Sequence, residues 1–320
     1  MSHTIVVTGA TGKQGGSVLR ALLDHRSSSP TDLTIYAVTR TPDSPAARAL
    51  TSRYPQVRLL KGNLAAPADL VRAIPAASKS SWSIYIVSNP GEREVLEATA
   101  LIDAAIGAGV SHIVYSSVDR GASNGGNNPS PVHHWQSKHE IEAHLRAVCA
   151  ATTDTASTTN TTDQQSRVTY TIIRPVFLLD NLALPGFYGK LSATLWASFI
   201  SPRPLKVVDP ADIGAVAAAA LLDPASRLHR RNTELSLCGD ELTFERADEI
   251  FRERVGHSMP TTSKWLVNAV LFLARDFGRM TEALAKQGFG APVGGGESGV
   301  KMSDFGTWLG RSRFVEGRSA

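Results

Sequence analysis

Cysteine is scarce in this chain: Cys149 and Cys238 are the only two among 320 residues, far apart and outside any CxxC or Cys/His pattern. That scarcity argues against a disulfide scaffold and a zinc site, so no metal is expected and a reducing compartment fits. Long apolar runs are missing too. The longest, Ile213 to Leu222 and Trp265 to Ala274, fall well short of the ~20 residues a spanning helix needs, and both read as buried helices. The formal charge of +4 comes with scattered cations, clustered only at Arg227, Arg230 and Arg231. With no basic stripe or recognition-helix pattern, nucleic acid is not expected as a partner, and with no run long enough to span, neither is a membrane. The chain enters a strand and a glycine loop at once, without the charged start and apolar middle of a signal peptide, so a cytoplasmic location is expected. Asn160-Thr161-Thr162 matches a glycosylation acceptor, a chance match where no secretion is expected.

What is present is a chain 42% hydrophobic, long enough to bury a full core. Its first half alternates β-type runs with helical patterns. Strands are expected at 4–8, 33–40, 57–61, 83–88, 112–117 and 168–174, with helices between them; from about Gly15 to His25, Val18, Leu19, Leu22 and Leu23 share one face. Runs such as Ile5-Val6-Val7 and Ile84-Tyr85-Ile86-Val87 suit strands buried on both sides. The order implies an α/β fold: a Rossmann doubly wound parallel sheet. A helix follows from about His134 to Ala150, and the polar segment 152–166 reads as a mobile surface loop. Short strands are expected at 204–208 and 234–238, and Asp209-Pro210-Ala211-Asp212 has the polar cap and early proline of a helix start. The expected division is a Rossmann domain over 1–181, a smaller, mostly helical C-terminal substrate lobe from 182–203 and 243–320, and a return to the sheet over 204–242. In the lobe, Phe187, Tyr188, Trp196 and Phe199 either line a pocket or pack its core.

The chemistry begins at Gly9-Ala10-Thr11-Gly12-Lys13-Gln14-Gly15. Glycines between a strand and a helix allow a tight turn and close approach of backbone N–H groups to a pyrophosphate, and the helix amino end adds partial positive charge. At the end of the second strand, where an NAD enzyme presents a carboxylate to the ribose, this chain has Val38-Thr39-Arg40. A guanidinium there suits a 2′-phosphate, so NADP(H) is the expected cofactor. Asn63 and Leu64 after the third strand, and Ser88 and Asn89 after the fourth, are either cofactor contacts or ordinary turns.

These residues, with Gln14-Gly15-Gly16-Ser17, His134-Trp135-Gln136-Ser137-Lys138, Ile173-Arg174-Pro175 with Phe177 and Asn181, Asp212-Ile213-Gly214 and Trp308-Leu309, resemble the NmrA-like branch of the atypical short-chain dehydrogenase/reductases along essentially the whole chain. The resemblance implies Pro175 and Phe177 as further cofactor contacts, Lys138 on the nicotinamide ribose, and Ser116 or Ser117 facing the substrate carbonyl. It implies a tyrosine four residues before the lysine, where this chain has His134. Imidazole still exchanges protons near neutral pH, and residues four apart share a helix face. Two functions follow from the family: an NADP(H)-dependent reductase of a small aromatic or polyketide-like secondary metabolite, with Lys138, His134, Ser116 and Ser117 as catalytic candidates, or a non-catalytic NADP(H)-binding sensor or regulator acting through a protein partner.

Overall fold

The computed structural model describes residues 3–28, 33–79, 81–121, 130–158, 168–222, 228 and 231–316. The backbone forms two compact units, one of 1–117, 140–173 and 213–235, the other of 118–139, 174–212 and 236–320.

In the first unit, β1 (His3–Val7), β2 (Leu33–Thr39), β3 (Val57–Lys61), β4 (Trp82–Val87), β5 (His112–Ser116) and, up to residue 173, β6 (Thr169–Pro175) alternate with α1 (Lys13–Ser28), α2 (Pro45–Arg53), α3 (Pro67–Ala73), α4 (Glu94–Gly107) and, from residue 140, α5 (His133–Thr158). With β9 (Thr233–Leu237) they give a seven-stranded sheet in the order β3-β2-β1-β4-β5-β6-β9, and β1 to β6 pair in parallel. The order reverses between β1 and β4, the switch point where open α/β sheets bind ligands. The interior strands are apolar on both faces, and Ile5, Val6, Val7, Ile84, Tyr85 and Ile86 have no exposed surface. α7 (Pro210–Leu222) begins in the second unit and continues into the first, its apolar run buried as expected.

The second unit holds a three-stranded sheet, β10 (Asp240–Leu242), β8 (Leu205–Val208) and β7 (Phe177–Leu178), with α6 (Phe187–Leu195), α8 (Phe244–Val255), α9 (Lys264–Leu273), α10 (Arg275–Gln287), α11 (Phe305–Gly310) and α12 (Arg313–Glu316). Its core gathers Trp135, Trp196, Phe251, Phe305, Trp308 and Leu309. Of the four lobe aromatics, Trp196 is fully buried and edge-on to Phe244 and Phe305, Phe199 packs beside Leu191 and Leu195, and Phe187 and Tyr188 are exposed.

Four sequence expectations change. The strand at 204–208 does not return to the large sheet: β8 pairs with β7 and β10, two short strands with no clear alternation to announce them. The segment 118–139, placed by sequence in the Rossmann domain, belongs to the second unit. The polar segment does not begin as a loop: α5 continues to Thr158, since an already nucleated helix gains one backbone bond per added residue, and Thr152 Oγ1 donates to the Cys149 carbonyl. The rest of that segment, the glycosylation match, Arg227 and Arg230 lie outside the described residues. Finally, α9 is a helix but not a buried one: only Val267 is buried, while Trp265, Phe272 and Leu273 are exposed. Among the described residues no helix is long and apolar enough to cross a membrane, and no group of three or more His, Cys, Asp or Glu is placed to hold a metal ion.

Candidate functional site

The glycine loop leaves β1 against the end of β4: Thr8 N–H donates to the Tyr85 carbonyl, and Val87 N–H to Thr8 Oγ1. Space then dictates glycine. Gly9 has φ +60°, and a Cβ there would meet Val87 Cγ1 at 2.5 Å. A Cβ on Gly15 would run into the carbonyls of Thr8 and Gly9. Gly12 donates its N–H to the Gly9 carbonyl, closing the turn, and with Thr11 it is exposed at the crest. Lys13 opens α1, and Lys13 and Gln14 are half-buried. Backbone amides presented at a helix start, on a turn that excludes side chains, fit a pyrophosphate.

Gln14 gives the loop a second anchor. Its Oε1 accepts from Ser116 Oγ at 2.6 Å and from Tyr85 OH at 3.2 Å, so the loop after β1 is tied to β4 and to the end of β5. Burial pushes the Tyr85 phenol well above its ordinary value of 10, outweighing a lowering bond with Ser116, and the phenol stays neutral. Ser117 faces the other way. It donates to Glu142 Oε1 on α5 at 2.5 Å, and Arg146 links Glu142 to Glu234 at 3.0 and 2.6 Å. The two serines therefore divide: Ser116 joins the loop, and Ser117 belongs to an ionic network that runs from the buried Glu142 through the half-buried Arg146 to Glu234.

The other expected contacts separate likewise. Arg40 is exposed directly after β2. Asn63 is exposed and uses its Oδ1 to accept from Ala65 N–H in its own turn, and Leu64 packs against the core. Ser88 is buried, its hydroxyl donating to the buried Glu94 at 2.8 Å, whereas Asn89 is exposed. In the second unit, Pro175 ends β6 and is buried, and Phe177 pairs with Val207 in the small sheet. His134 and Lys138 occupy the first turns of α5, His134 half-buried and Lys138 only 4% exposed. Asp276 caps that helix, its two carboxylate oxygens accepting from His133 N–H at 2.6 Å and His134 N–H at 3.1 Å.

Sequence reasoning missed Tyr85, Glu94 and Glu142. A tyrosine between two isoleucines of a buried strand is a legible sign of a buried hydroxyl seeking a partner; Glu94 and Glu142 carry no such sign, being acids in ordinary helical stretches.

The profile of the NmrA-like family matches residues 1–271. The oxidoreductase FrzB of a Cladobotryum species, which carries an NmrA-like family domain, is 35% identical over 133 residues, 37% of this chain and 34% of FrzB. The chain spans about a third of the length of the curated fungal relatives it matches in this way. Among solved structures, the NADPH-dependent quinone oxidoreductase QOR2 of Escherichia coli, complexed with NADPH, superposes with a TM-score of 0.66 at 18% identity, covering 96% of this chain and 99% of QOR2. The negative transcriptional regulator NmrA in complex with NAD superposes with a TM-score of 0.60 at 16% identity, covering 99% and 92%.

Proposed function

Because the chain belongs to the NmrA-like family, we propose that it binds NADP(H) on the Gly9–Gly15 loop and reduces a small aromatic or polyketide-like substrate. The observation that carries this reading is the loop itself, sterically restricted to glycine at positions 9 and 15 and open at Thr11 and Gly12. The bound cofactor supplies the hydride. The amide of Thr11 and those of Lys13 and Gln14 in the first turn of α1 hold its pyrophosphate, and Arg40, exposed after β2, takes the 2′-phosphate. Lys138 is assigned to the nicotinamide ribose and Ser116 to the substrate oxygen, with His134 as the proton donor. The oxidoreductase named among the relatives supports turnover.

A second reading, a cofactor-occupied sensor acting through a protein partner, is favoured by one observation: His134 stands four residues before Lys138, where a reductase of the wider superfamily has tyrosine. Calorimetry of the Arg40→Ala variant tests the cofactor assignment. NADPH affinity should fall by roughly ten-fold or more, corresponding to about 1.5–3 kcal/mol for one charge-assisted contact, with NADH nearly unchanged. Equal losses for both nucleotides would remove Arg40 from the phosphate. A panel of quinones and aromatic carbonyls, assayed with the native protein and His134→Phe, separates the readings. The reductase loses ~10²–10⁴-fold in turnover, and the sensor oxidises no bound NADPH in either form.

A further inference from the structure

α9 packs one side inward, with Val267 clustered with Leu191 and Leu195 of α6 and with Val270 and Leu271 partly buried. Its other side has no cover. Trp265 is 68% exposed, Phe272 76% and Leu273 81%. Trp265, Ala269 and Phe272 follow one another at helical spacing, so the exposed groups form a stripe. A contiguous apolar patch of this kind marks an interaction surface.

The charges around the stripe select its occupant. Lys264 stands at its start, and Arg275 and Arg279 follow on α10, four residues apart and therefore on one face. All three are exposed, and among the described residues none is paired with a carboxylate. Asp276, the acid between them, is already engaged by the amides of His133 and His134. A second copy of this chain is a poor partner: a two-fold interface is self-complementary and would bring the same three cations together. An anionic bilayer meets both requirements, because a helix with tryptophan and phenylalanine on one face and lysine and arginine beside it lies in the headgroup plane.

We propose that α9 docks this protein peripherally on an anionic membrane surface. Trp265, Phe272 and Leu273 enter the boundary between headgroups and acyl chains, and Lys264, Arg275 and Arg279 meet the lipid anions. The ten-residue helix lies flat and does not span. Nothing in this proposal depends on the cofactor reading.

Trp265 reports on the event, since Trp82, Trp135, Trp196 and Trp308 are all buried. The full chain is titrated with vesicles of phosphatidylcholine, with and without phosphatidylserine, some carrying brominated acyl chains. With phosphatidylserine present, Trp265 emission should shift to the blue and be quenched by the brominated lipid, and added salt should reverse both changes. Arg275→Ala with Arg279→Ala should weaken the interaction roughly thirty-fold, taking each cation near the surface at about 1 kcal/mol. Phe272→Ser with Leu273→Ser should abolish the insertion signal. The native protein and its salt response test the proposal even where a variant folds poorly. An unchanged Trp265 spectrum with phosphatidylserine vesicles at low salt overturns it. So does equal binding to neutral vesicles, or a blue shift without lipid that tracks a concentration-dependent dimer in light scattering, which would give the face to a second copy.

Discussion

Ser116 and Ser117 are identical side chains one position apart, and strand alternation sends them to opposite faces. Ser116 donates to Gln14 in the glycine loop, and Ser117 to Glu142, which has no exposed surface. Removing the second donor leaves a buried carboxylate one bond short, which costs about 1–3 kcal/mol. Removing the first weakens a partly buried bond between neutral groups, worth about 1 kcal/mol, and frees the loop from β5. Ser117→Ala should therefore lower stability in urea while leaving NADPH affinity intact. Ser116→Ala should do the reverse, loosening the cofactor several-fold in a fluorescence titration with little change in the unfolding midpoint. If Ser116→Ala is the more destabilising of the two, the network around Glu142 is not what holds β5 to α5.

Among the elements, α1 and α7 meet where one residue has no side chain: a Cβ at Gly214 would stand 2.5 Å from the backbone C and O of Ser17. Backbone cannot yield as a flexible side chain does, so Gly214→Ala should force the helices apart and cost about 1–3 kcal/mol, read as a lowered thermal midpoint. At α11 the cap is Asp304, whose Oδ1 accepts from Thr307 N–H at 2.6 Å. Bonds from the Thr307 side chain and backbone hold its carboxyl below the ordinary 3.8. A folded value below the unfolded one stabilises above pH 3.8, and the stabilisation is lost as pH falls through the lower folded value. Asp304→Ala should cost about 1 kcal/mol at neutral pH and converge with the native protein in strong acid; a constant difference down to low pH would exclude the carboxylate as the cap. The parallel strands were legible in the sequence because each is a short, largely apolar run closed by turn residues, and the loop because steric need leaves only glycine. α9 was misjudged because an apolar run has the same composition whether it faces a core or an interface. The pairing of β8 was hidden because its partners are strands of two and three residues.

For the molecule as a whole, the family match and the fold end at different places. The NmrA-like profile stops at residue 271, yet the core of the second unit is completed by residues beyond it. Phe305 and Leu309 have no exposed surface and Trp308 has 3%. Phe305 stacks edge-on to Trp196, and Trp308 Nε1 donates to Asp180 Oδ1 at 2.9 Å. The tail is also held by charge: Asp212 accepts from Ser303 N–H and Oγ at 2.7 and 3.0 Å, and Arg311 reaches Asp209 at 2.7 Å. Losing one large buried aromatic costs about 3–5 kcal/mol, whereas a whole domain is stable by only about 5–15 kcal/mol. Deleting everything after residue 300 removes two such aromatics, a buried leucine and the partners of two buried aspartates at once. Such a chain, although it contains the entire family match, should lose the cooperative unfolding of its second unit in calorimetry and bind a hydrophobic dye in native buffer. If the 1–300 chain keeps the native thermal midpoint, then Phe305, Trp308 and Leu309 cover a core that is already stable without them.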